Sequence, residues 1–206
     1  MRSLWIAVLL FNVFHAIGSE STIIALSNFD SEIQHDGLPD GFTAFGLVDA
    51  KGVTTNRSFS SPNSAYVMIN FSATGFGAGL VRKPLSEPLD IRGATLSIDV
   101  MTTEDLSANL GHIAFRLVDA DGTIMRSSNV DMYAPNESFT TFTQPAYELD
   151  YADERGSIPG LDFEKIVSYG VLIMNRRDLK KVVTYYLDNL AIVMNKEESK
   201  EENKED

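Results

Sequence analysis

The sequence contains no cysteine, which excludes disulfides, thiolate metal sites and cysteine nucleophiles. Its single tryptophan is Trp5, so everything beyond the opening stretch lacks an indole. Of three histidines, His15 lies in that stretch, and His35 and His112 show no metal-binding spacing. Basic charge is scarce: 17 Lys and Arg stand against 29 Asp and Glu, a formal charge of -12. That balance argues against nucleic acid, whose phosphates need a basic surface, and suits divalent cations or neutral sugars. Long apolar runs are also missing beyond the start, and no later stretch has the length to cross a bilayer.

What the start does contain reads as an export signal. "MRSLWIAVLLFNVFHAIGSE" places Arg2 before an apolar run to Ile17, and Ala16-Ile17-Gly18 has the small-x-small form of a signal-peptidase site. The expected organisation is a leader over 1–18, one domain over 19–194 and a charged, disordered tail over 195–206, "NKEESKEENKED". The mature protein would be secreted or periplasmic, with no membrane span after leader removal. An exported domain without disulfides relies on a large core or a bound metal.

Between leader and tail the chain alternates apolar and polar residues over short runs separated by turn residues. "AYVMINFSA", "TLSIDVMT" and "HIAFRLVDADG" read as half-buried strands, followed by "FTTFTQPAYEL", "SYGVLIMN" and "TYYLDNLAIV". One helical turn is expected at "GLDFEKIVS", capped by Asp162 and anchored by Ile166. "LVDAKG" at 47–52 echoes "LVDADG" at 117–122, and both read as hairpin turns. The fold class is all-β, an antiparallel β-sandwich.

In such a sandwich with its first and last strands side by side, Asp30 and Glu32 approach Asp188. Carboxylates gathered without a basic partner favour a hard cation such as calcium, and Asn63 adds a further oxygen. The alternative is that Asp188 hydrogen-bonds a neighbouring strand. If Ile113, Phe115 and Leu117 face the core, His112 and Arg116 lie on the opposite face. Asp99 joins them there if Ile98 and Val100 point inward, with Arg176 at the edge; a salt-bridged, solvated face is the plainer reading of these residues.

The order "NFDSE", "SSPNSAYVMINF", "GFGAGLVRKPLSEPLDIRGATLSIDV", "LDFEKIVSYGVLIMNRR", "TYYLDNLAIV" resembles the jelly-roll carbohydrate-binding modules of the galactose-binding-like superfold. The resemblance implies a structural calcium held by Asp30, Asn63 and Asp188, and a glycan or polysaccharide bound on one sheet by aromatic rings and polar side chains. The missing tryptophan departs from that pattern; Tyr133, Phe142, Tyr147 and Tyr151 are the candidate substitutes. The implied function is an exported, non-catalytic carbohydrate-binding module. No pair of carboxyl groups is singled out by the sequence for glycoside hydrolysis. Two alternatives stay open: a cell-surface or periplasmic module that binds a surface protein, and a domain similar to the complex I intermediate-associated family.

Overall fold

A computed structural model describes residues 21–31, 38–60, 62–71, 78–103, 111–127, 137–152, 160–175 and 181–195. The expected leader, all of the tail beyond Asn195, Glu32, Tyr133 and Arg176 lie outside these residues, and His112 and Tyr151 are described by their backbone. Among the described residues there are twelve strands. The first six are β1 (Ser21–Ser27), β2 (Thr43–Gly46), β3 (Val48–Thr54), β4 (Ser64–Asn70), β5 (Ala78–Leu89) and β6 (Ala94–Thr102). They are followed by β7 (Gly111–Asp119), β8 (Ile124–Arg126), β9 (Thr140–Pro145), β10 (Tyr151–Ala152), β11 (Ile166–Asn175) and β12 (Val182–Asn195).

The strands form two six-stranded antiparallel sheets. Sheet one runs β3-β4-β12-β6-β9 with β1 also on β12; sheet two runs β10-β8-β7-β11-β5-β2. Alternation builds the core between them. Leu96, Ile98 and Val100 from β6 and Tyr185, Leu187 and Ile192 from β12 meet Ile113, Phe115 and Leu117 from β7 and Val171 and Ile173 from β11. All are essentially sealed from water, and each such aliphatic or phenyl side chain contributes roughly 1.5–3 kcal/mol by burial.

Strand β12 organises sheet one. Along one edge it pairs with β6; along the other it pairs first with β4, over Val182–Leu187, and then with β1, over Leu190–Asn195. The first and last strands do lie side by side. At the handover the register against β6 slips by one between Asp188 and Ala191, and Asn189 takes a left-handed backbone with φ 47°. This is a β-bulge, one extra residue that bends a strand and leaves backbone groups to be satisfied by something other than the ladder.

Two local expectations fail. Residues 48–52 are strand, not a hairpin turn, because β3 runs through them to pair with β4. By contrast 119–122 is a turn: the buried Asp119 carboxylate accepts N–H bonds from Asp121 (3.0 Å), Thr123 (2.8 Å) and Asp162 (3.0 Å). The helical turn expected after Asp162 is a single non-helical turn. The Asp162 carboxylate accepts the Glu164 N–H, and Ile166 already belongs to a strand. A 3₁₀ turn occurs instead at Ala146–Glu148.

Candidate functional site

Asp188 is fully buried on the outer face of sheet one, directly opposite Asp99 of β6, which in turn faces Thr141 of β9. The segment before β4 closes over this row. Phe59 and Ser60 donate backbone N–H bonds to Asp188 Oδ2 (3.0 and 3.3 Å), and the Asn189 N–H donates to Oδ1 (2.8 Å). Asn189 completes the bulge from its side chain, donating from Nδ2 to Asp99 (2.7 Å) and accepting from the Ser60 hydroxyl (2.8 Å). Thr141 donates its hydroxyl to the other Asp99 oxygen.

Burial lifts the Asp188 carboxyl to about 6, with the three N–H bonds opposing and the nearby Asp99 assisting. Asp99 is raised as well, by burial against its bonds from Thr141 and Asn189. Asp30 lies apart from this network: it accepts the Asn63 N–H (3.2 Å) and the Asn28 side-chain amide (2.8 Å). Residues 59, 60 and 63 thus donate backbone N–H groups to the two acids. Three N–H donors occupy most of the roughly four lone-pair sites of the Asp188 carboxylate. No group of three or more His, Cys, Asp and Glu among the described residues is placed to hold a metal ion.

The outer face of sheet two carries a different chemistry. Because Ile113, Phe115 and Leu117 enter the core, Ala114 and Arg116 face away from it. The register continues this level across the sheet: Arg126 of β8 opposes Arg116, which opposes Gly170 of β11, which opposes Arg82 of β5, which opposes Thr43 of β2. The backbone of Tyr151 ends the same row beyond Arg126. One level along lie Ala114, Leu172, Leu80 and Phe45. An arginine row therefore runs beside an apolar row.

Gly170 keeps the middle of the arginine row free of a side chain. A Cβ there would fall 2.1 Å from the Val81 carbonyl oxygen. Arg116 is 7% exposed, whereas Phe45 at the sheet edge is 46% exposed. The Arg82 guanidinium carbon sits 5.0 Å from the Phe45 ring centroid, a cation–π pair. Arg82 Nε is buried with no hydrogen-bond partner among the described residues.

The expected cluster of Asp99, His112, Arg116 and Arg176 is divided. Asp99 belongs to sheet one and Arg116 to sheet two, so the core separates them; alternation fixes which face a residue takes, but not which sheet its strand joins. His112 shares the β7 backbone level of Met174 on β11, while Arg176 and Tyr133 lie outside the described residues. The Arg116 face is not open to solvent either, since Ala114, Arg116 and Leu172 are all buried. Of the aromatic substitutes, Phe142 packs against the core and Tyr147 is 70% exposed in the 3₁₀ turn. Sequence reasoning missed Phe45, Arg82 and Arg126. The alternation in "AGLVRKPL", with Val81 inward, carries a signal for Arg82.

A search with protein-family models finds no match, and neither does one among curated proteins. Among solved structures, the chain is similar to the family 11 carbohydrate-binding module of the cellulosomal cellulase Lic26A-Cel5E of Clostridium thermocellum. The TM-score is 0.56 at 12% identity, over 85% of this chain and 94% of that one. A second structure of that family, in complex with a β-1,3-1,4-mixed-linked tetrasaccharide, gives 0.55 at 13% identity, over 84% and 95%. An exo-β-agarase gives 0.55 at 14% identity over 82% of this chain; the match spans 25% of that enzyme's length. At these identities the likeness is one of fold, and the chain is a β-sandwich of the kind found in the jelly-roll carbohydrate-binding modules.

Proposed function

We propose that this protein is a non-catalytic carbohydrate-binding module that takes its glycan on the outer face of sheet two. The observation that carries the reading is the pairing of an arginine row, Arg126, Arg116 and Arg82, with an apolar row that ends in the exposed Phe45. Sugars offer the same two surfaces, hydroxyl groups to hydrogen-bond and C–H faces to stack. The fold shared with the family 11 modules supports it, and Phe45 and the half-buried Arg82 are the parts of this face within reach of a ligand. Export is part of the reading and rests on the leader-like opening sequence.

The test is affinity electrophoresis through gels containing different soluble polysaccharides, with the wild type beside Phe45→Ala. The expected result is retardation by at least one glycan, weakened about tenfold in the variant, in line with roughly 1–3 kcal/mol for an anchoring aromatic. Unretarded migration in every gel overturns the reading and favours a protein-binding module.

A structural calcium near Asp30 is a separate proposal, supported by the oxygen-bearing side chains of Asn28, Asp30 and Asn63 on two converging segments. Thermal unfolding with calcium and with chelator tests it. A lower Tm in chelator, absent in Asp30→Asn, is expected; identical curves overturn it.

A further inference from the structure

We propose that the free edge of β9 is an interaction surface that takes the same edge of a second copy of this chain, joining sheet one to sheet one. Strands β1, β2, β3, β9 and β10 each have a single strand partner among the described residues. An unpaired strand edge is a template for another chain, and proteins blunt it with shortness, bulges or charge. β10 is two residues long. β1 and β3 each carry a bulge, between Ile23 and Ala25 and between Val48 and Ala50. β2 is four residues long, and Lys51 of β3 reaches across to donate from Nζ to its Ala44 carbonyl (3.3 Å).

β9 differs from all of these. Its sequence, "TTFTQP", holds no charged residue, and its register with β6 runs unbroken from Thr140 to Pro145. Thr140, Thr141 and Thr143 are exposed. In a chain with a formal charge of -12, like-charge repulsion opposes contact between copies, and it is weakest along an uncharged edge. Pro145 sets which backbone groups are free. Proline has no N–H and sits in a sheet with that position turned from the ladder, and alternation then turns the N–H and C=O of Thr143 and Thr141 the same way, away from β6. An edge that pairs with its own copy does so antiparallel about a two-fold axis. The register that uses both threonines is centred on Phe142, with Thr141 of each copy exchanging N–H···O=C bonds with Thr143 of the other. Phe142 then faces Phe142 of the second copy. Its ring is half-buried and packs against the core at the margin of the sheet, so the pairing covers the part still open, and aromatic cross-strand pairs strengthen a sheet.

One short strand from each copy makes a small contact, of the weak class, and a Kd on the order of 0.1 mM is expected. Sedimentation velocity on the mature chain, from about tenfold below to tenfold above that value, is expected to show monomer passing to dimer and nothing larger, because a two-fold contact closes on itself. Thr143→Pro removes the donor on the free side without touching the β6 ladder, and Thr143→Lys sets a charge on the edge; each is expected to weaken dimerisation at least tenfold. Thr143→Val keeps the backbone donor and is expected to dimerise as the wild type does. Circular dichroism checks the fold of every variant, and Thr143→Lys decides the matter if Thr143→Pro does not fold. A chain that stays monomeric across the range overturns the proposal. So does a dimer that persists unchanged in Thr143→Lys, which places the contact elsewhere, and so does open-ended assembly.

Discussion

At the scale of single residues, the chain places acids where water cannot reach them and satisfies them with backbone. Asp188 is harder to ionise in the fold than in the unfolded chain, because burial lifts it to about 6. The folded state therefore holds more protons than the unfolded state between roughly pH 4 and 6, and stability from this group falls as pH rises through that window. Thermal unfolding from pH 4 to 7 is expected to show the wild type losing stability relative to Asp188→Asn as pH rises; parallel curves would refute this. Tyr185 is a simpler case. Its hydroxyl is buried with no partner among the described residues, so Tyr185→Phe is expected to leave stability unchanged or raise it by about 1 kcal/mol, as read from denaturant midpoints. The sequence singled out Asp188, but it did not show which donors would meet the carboxylate. Two of the three donors come from residues 59 and 60, more than a hundred positions away.

Among the elements, what was legible followed from period two, and what was lost followed from partner choice. The strand faces of β6 and β7 agree with the alternation read from the sequence. Their sorting into sheets is decided by non-local pairing, and that is why Asp99 and Arg116, each correctly placed facing outward, ended on opposite sides of the core. The spacing of three between the inward Leu187 and Leu190 was the visible trace of the bulge, because an unbroken strand repeats every two residues. Asn189 at its centre has φ 47°, a backbone that most side chains resist. Asn189→Ala is expected to cost about 2 kcal/mol, combining strain with the loss of its bonds to Asp99 and Ser60, and Asn189→Gly to cost less; equal losses would show that the side chain alone matters. In β11, Gly170→Ala drives a Cβ to 2.1 Å from the Val81 carbonyl and is expected to destabilise by about 3 kcal/mol, the upper end for overpacking, measured by chemical unfolding.

For the molecule as a whole, the two faces divide the work: sheet one buries its polar row under the chain's own backbone, while sheet two buries Arg116 and exposes Phe45 at its edge. Substitutions on the first are expected to change unfolding without changing glycan retardation at a temperature where the variant is folded, and Arg82→Gln or Phe45→Ala to do the reverse. Thermal scans run beside the same affinity gels check this, and a stability variant that loses retardation while still folded would break the division. Strand β12 adds a constraint in time. It is the last of the described strands, yet it lies inside sheet one, with β6 on one side and β4 and β1 on the other. During synthesis three earlier strands must wait, with ladder groups unpaired, for a partner that the ribosome has not yet made. A nascent chain ending before Val182 is then a client for chaperones rather than a folding domain.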